Sequence, residues 1–66
     1  MNITLNGEAH THQGASTLTS LLDEIGAQKE HTALMQNGNV IPATDWSNTP
    51  LNENDQIEIL VFVGGG

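Results

Sequence analysis

The residues best placed to do chemistry are the last three of this chain, Gly64, Gly65 and Gly66, which follow a β-branched alternation at Ile57, Ile59, Val61 and Val63 that reads as a strand with that face in the core. Glycine has no Cβ and loses the most freedom on ordering, so such a run at a terminus is either a frayed end or a slim tail presented from a rigid domain. In the second case the working group is the carboxylate of Gly66. A free α-carboxylate has a pKa of about 3.3 to 3.7, so at neutral pH it is ionised and a poor acyl donor until something activates it.

Other arrangements carry less. His10 and His12 share one strand face at i, i+2, but a zinc site needs three or four ligands with supporting partners, and Glu8 or His31 would have to converge on the pair. They read instead as partly buried imidazoles at the edge of a helix, and no metal is expected. Ser16, Ser20 and Ser47 lack the strand-turn-helix setting of an activated nucleophile, and the carboxylates show no paired placement. Asp55 reads as a turn residue. The terminal glycines open no helix and precede no Lys-Ser or Lys-Thr, so they form no phosphate loop. With no cysteine, the chain has no disulfide, thiolate metal site or thiol nucleophile of its own, which fits a reducing compartment. Any sulfur chemistry must import its sulfur.

Sixty-six residues make one domain, and a chain of this size buries only about 60% of its unfolded surface. Lys29 is the single basic side chain against eight acidic ones, for a net charge of −7. Phosphate backbones are repelled by that balance. It suits steering toward a basic protein surface, or solubility alone. The longest apolar run, within Ile57 to Val63, is far too short to span a bilayer, and Met1-Asn2-Ile3-Thr4 does not begin a signal region. A cytoplasmic location is expected.

The elements that must hold the tail follow from periodicity and turn chemistry. Met1, Ile3 and Leu5 alternate onto one face of a first strand, and Asn6-Gly7 suits a two-residue hairpin turn into a second strand over Glu8 to Gln13. That loop pairs Leu5 with Glu8, Ile3 with His10 and Met1 with His12. Gly14-Ala15 breaks the strand, and Ser16 or Thr17 caps a helix. Its stripe is Leu18, Leu21, Leu22 and Ile25, with Asp23 and Glu24 on the wet side and Gly26 as the stop. Ala27 to His31 is a polar connection. Thr32 to Gln36 forms a strand, Asn37-Gly38-Asn39 a tight turn, and Val40-Ile41 a partner strand cut off by Pro42. From Ala43 to Asp55 the chain is polar, and Trp46 with Leu51 must pin it to the body. Asn54-Asp55 turns into the last strand, which should lie beside the first in the centre of the sheet.

This order, an α+β chain with a mixed sheet of four to five strands and one amphipathic helix across one face, resembles the β-grasp fold of ubiquitin-like proteins. Within it, the sequence resembles the ThiS family, the bacterial sulfur carriers of thiamine thiazole synthesis. The likeness runs the whole length: Asn6-Gly7, Thr17-Leu18 with Leu21-Leu22, Asn37 with Val40-Ile41-Pro42, Trp46, Leu51, Asp55-Gln56-Ile57 and the terminal Gly65-Gly66. The related molybdopterin carriers, the MoaD family, share the fold and the diglycine end but usually lack the counterpart of Ile41-Pro42 and Trp46. There are departures. Asn54 stands where the family usually has a turn glycine, Gly64 extends the glycine pair to three, and Gln36, His10 and His12 occupy positions expected to be more apolar.

The resemblance implies a carrier and not an enzyme, with a β-grasp domain over 1–63, a flexible tail over 64–66, and no bound cofactor. A ubiquitin-activating-type, ThiF-like enzyme would spend ATP to adenylate the Gly66 carboxylate, and sulfur from a cysteine desulfurase system would displace AMP. The resulting Gly66 thiocarboxylate would donate its sulfur to a ThiG-like thiazole synthase. Two alternatives remain: a carrier for molybdopterin or another thiolated product, and a ubiquitin-like interaction module whose tail is incidental. For a carrier, Gly64 and Gly65 allow the backbone to thread a narrow activating site. Ordering three such residues costs on the order of 3 to 6 kcal/mol. Docking elsewhere must compensate. Glu58, Leu60 and Phe62 lie on the face of the last strand opposite the β-branched row, and burying two such apolar side chains against a partner returns roughly 3 to 6 kcal/mol. Those three residues are therefore expected to form the partner-binding face, unless they pack under the Ala43 to Asp55 loop.

Overall fold

The computed structural model describes residues 1–62. β1 (Asn2–Leu5) and β2 (Glu8–Thr11) are joined by Asn6 and Gly7 at φ 50° and 83°. Two successive residues of positive φ match the twist of a two-residue hairpin, and asparagine and glycine adopt them most readily. The register is the expected one, with Leu5 opposite Glu8 and Ile3 opposite His10. Met1 and His12 continue it through a backbone bond of 2.8 Å from His12 N to Met1 O. β2 stops short of Gln13, whose N–H by alternation points away from β1 and donates to Glu24 Oε2 at 2.8 Å.

The helix α1 (Leu18–Ile25) is bounded as its sequence dictates. Thr17 is the N-cap, its hydroxyl accepting from Ser20 N at 3.2 Å, and Gly26 ends it at φ 73°. Leu18, Leu21 and Leu22 are fully buried, while Ile25, in the last turn, sits at the rim. A 3-10 turn at Lys29–His31 occupies the polar connection and leads into β3 (Thr32–Gln36). Asn37 and Gly38, at φ 51° and 87°, make a second two-residue hairpin into β4 (Asn39–Val40). The turn is thus one residue shorter than the expected Asn37-Gly38-Asn39, and Asn39 joins the strand. Ile41 keeps one bond, from its N–H to Leu34 O, before Pro42 ends the pairing.

The polar stretch from Ala43 to Asp55 folds back as its two anchors require. Trp46 and Leu51 are both buried, and the indole N–H donates to Ile41 O at 2.8 Å, so the one polar atom of the ring is satisfied. β5 (Gln56–Val61) then enters the middle of the sheet, parallel to β1 and antiparallel to β3. The sheet order is β2-β1-β5-β3-β4. One face of it meets α1 and the folded-back loop around a core of Ile3, Leu18, Leu21, Leu22, Leu34, Trp46, Leu51, Ile57 and Ile59. This is the β-grasp arrangement. Among the described residues no helix is long and apolar enough to cross a membrane.

Candidate functional site

β5 holds the site because its two faces and its two edges do different work. Ile57 and Ile59 turn into the core. The alternate residues Glu58 and Leu60 face the other way, with Phe62 held in step by its N–H on His31 O at 2.7 Å. Leu60 and Phe62 are 60% and 59% exposed. They do not lie under the Ala43 to Asp55 loop, whose anchors fill the opposite side of the sheet. Registry adds neighbours that sequence reasoning missed: Ala33 stands opposite Leu60, Met35 opposite Glu58, and Val40 opposite Met35. Val40 is 68% exposed. An apolar surface therefore crosses β5, β3 and β4, with Glu58 as its charged member. The signal for it was the Asn37-Gly38 turn, which fixes the hairpin register and hence the face on which Met35 and Val40 lie.

One expectation for this strand fails. Val61 belongs by alternation to the buried row with Ile57 and Ile59, yet it is 59% exposed. The strand outruns the elements that cover it: β1 pairs with β5 only as far as Leu5 opposite Ile57, and α1 ends at Ile25. Alternation assigns a face, and burial needs something on that face.

The start of β5 is fixed by asparagine side chains. Asn6 Oδ1 accepts from Ile59 N at 2.7 Å and Asn37 Oδ1 from Gln56 N at 2.9 Å, so each hairpin turn sends an amide onto the central strand. Asp55, expected as a turn residue, is buried and does more. Its carboxylate accepts from Asn37 Nδ2, Gln36 Nε2 and Asn52 N at 2.8 to 2.9 Å. Burial works against its charge, but these three donors outweigh that and hold the carboxyl below its ordinary range. Gln36, polar where an apolar residue was expected, also donates to Pro50 O, tying β3 to the loop. Asn54 adopts φ 70°, as a glycine substitute must.

The histidines meet a carboxylate. Glu24 Oε1 lies 2.8 Å from His10 Nε2 and 2.9 Å from His12 Nδ1, while Glu24 Oε2 takes the Gln13 N–H. His12 is buried, and its Nε2 is 2.6 Å from Ala15 O. With an acceptor at each ring nitrogen, only the imidazolium satisfies both contacts. Burial pulls the His12 pKa down, but the hydrogen bonds to Glu24 and Ala15 and the Glu24 charge raise it overall. Glu24, bonded to His10, the Gln13 N–H and His12, is lowered to about 2. This cluster clasps α1 to the edge strand. Among the described residues no group of three His, Cys, Asp or Glu is arranged to hold a metal ion.

Gly64, Gly65 and Gly66, and Val63 before them, lie outside the described residues. What the structure fixes is the strand that leads to them, buried at Ile57 and Ile59 and exposed at Leu60, Val61 and Phe62.

A helix packed on a five-stranded mixed sheet, with a parallel pair of first and last strands at its centre, defines a ubiquitin-like β-grasp domain. The model of the ThiS family matches residues 3–66, and the chain belongs to that family. It is similar to the thiamine biosynthesis protein ThiS of Geobacter metallireducens in its crystal structure, with a TM-score of 0.83, 36% identity and full coverage of both chains. It is also 39% identical over its whole length to part of a thiazole synthase from Magnetococcus marinus and 30% identical to part of one from Paramagnetospirillum magneticum. The chain spans 20% of the length of each of these synthases.

Proposed function

We propose that this chain is a sulfur carrier in the making of the thiazole moiety of thiamine, working through the carboxylate of Gly66. The observation that carries the reading is membership of the ThiS family over 3–66, together with a last strand that leads from a fixed core into the glycines. A ubiquitin-activating-type enzyme adenylates the carboxylate with ATP. Sulfur from a desulfurase then displaces AMP and leaves a thiocarboxylate. The C–O bond to AMP breaks as a C–S bond to the desulfurase-derived persulfide forms. A thiol reductant then cleaves the S–S bond of that acyl disulfide, leaving the inner sulfur on Gly66 as the thiocarboxylate and itself becoming a disulfide with the outer one. The carrier supplies no catalytic group. Gly64 and Gly65 pass through the activating site because they offer no side chain to obstruct it.

Thiazole synthase is the proposed recipient, supported by the two synthases that contain a stretch similar to this chain. Leu60 and Phe62, with Glu58, form the docking face, extended by Ala33, Met35 and Val40. Deleting Gly66, or adding one residue after it, tests the reading in a thiazole-forming assay with the full set of partners. Loss of product is expected from either change. Retained product would assign the chain to plain binding.

A further inference from the structure

The two edges of β5 are unequal. Toward β3 its backbone is paired through to Phe62, whose N–H reaches His31 O. Toward β1 the ladder ends early: Leu5 opposite Ile57 is the last paired position, Asn6 N donates to Ile57 O at 2.9 Å, and the Asn6 side chain supplies one more rung by accepting the Ile59 N–H. The chain then turns away at Gly7. Backbone groups of a strand alternate in direction. The Val61 N–H therefore points to the same side as the Ile59 N–H, as do the carbonyls of Ile59 and Val61, and among the described residues no strand faces them there.

Three features surround this open edge. Leu60, Val61 and Phe62 expose apolar surface on both sides of it. Where β1 departs, an open recess of about 410 Å³ is lined by Thr4, Asn6, Gly7, Gln56, Ile57 and Glu58. The one acidic side chain among these lining residues is Glu58, in a chain of net charge −7. An unpaired edge is a template for another strand. A second copy of this chain is disfavoured as that strand, because each brings the same negative charge.

We propose that the open edge of β5 at Ile59–Phe62 receives an extended strand of a partner protein, whose basic side chain enters the recess beside Glu58 while apolar ones cover Leu60 and Phe62. The added strand continues the sheet where β1 leaves it and fixes the direction of the chain as it enters the tail. This inference rests on the carrier reading for its partner, taken here as the thiazole synthase.

Val61→Pro removes the one N–H aimed at the open edge, and β3 does not use that N–H. Leu60, already extended, accepts a following proline. Val61→Ala removes the same apolar side chain but keeps the N–H. Both variants, as full chains, are titrated against the thiazole synthase of the same organism. V61P is expected to bind at least about tenfold more weakly than V61A, while both melt cooperatively like the parent. Equal binding of the two overturns the proposal and leaves the carrier reading standing. No binding by the parent chain overturns both. A dimer of the parent that V61P dissolves assigns the edge to a second copy and overturns the proposal. Should V61P fail to fold, amide exchange of Val61 in the parent decides: slowing by the saturating synthase is expected, and an unchanged rate contradicts the proposal.

Discussion

Asp55 and Glu24 show how much of this small domain hangs on single carboxylates. Asp55→Ala leaves the Gln36 and Asn37 amides and the Asn52 N–H without their acceptor. A buried polar group stripped of its partner costs about 1–3 kcal/mol. Urea unfolding of the variant should show a loss at or above that range, and no loss would contradict the role given to Asp55. The pH dependence follows from the signs. Asp55 and Glu24 are lowered in the folded chain, so their contributions are present above the unfolded carboxylate values and are lost as pH falls through the folded ones. His12 is raised, so its contribution is complete below its unfolded value and is lost as pH rises through the folded one. Stability should therefore peak in mildly acidic solution. Unfolding midpoints across pH check this, and Glu24→Gln should flatten the alkaline limb. The histidines were legible as partly buried groups at the edge of the helix, but the roles of the two carboxylates were not. Asp55 sits in a turn like many aspartates, and its donors come from positions 36, 37 and 52, which only the fold brings together. Glu24 read as a wet-face residue of the helix, and its meeting with His10 and His12 depends on how α1 lies on the sheet, which sequence spacing does not give.

The elements themselves were mostly legible, for reasons that differ. Asn6-Gly7 and Asn37-Gly38 marked two hairpins because few residues tolerate two positive φ values in succession, although the second turn was read one residue too long, to Asn39. Thr17 and Gly26 bounded the helix because its ends need a hydroxyl acceptor and a left-handed residue. Thr17→Ala should cost about 1 kcal/mol, which lowers the melting temperature of so small a domain by roughly 4–8 °C. A shift within measurement error would show that the cap is not needed. Periodicity failed at Val61, because a strand pattern does not say how far the covering helix extends. It also left Ala33, Met35 and Val40 unassigned, since a face on three strands emerges only when the registers of two pairs are combined.

At the scale of the molecule, the fold separates a buried side that supplies stability from an exposed face and an open edge that do not. Phe62→Ser should leave the melting temperature within a few degrees of the parent, because Phe62 is 59% exposed in the free chain. It should weaken activation or transfer by at least about tenfold if the face docks a partner. Unchanged kinetics with a less stable fold would remove Phe62 from that face. The charge of −7 predicts association with partners that slows as salt is added, checked by stopped-flow at two ionic strengths. The central claim is that Gly66 carries sulfur. Incubating the chain with ATP, its adenylating enzyme and a desulfurase sulfur source, then weighing it intact, tests that claim most directly. Exchange of one oxygen for sulfur should raise the mass by about 16 Da and place the change on the C-terminal residue. An unchanged mass with active partners, or a modification elsewhere in the chain, would contradict it.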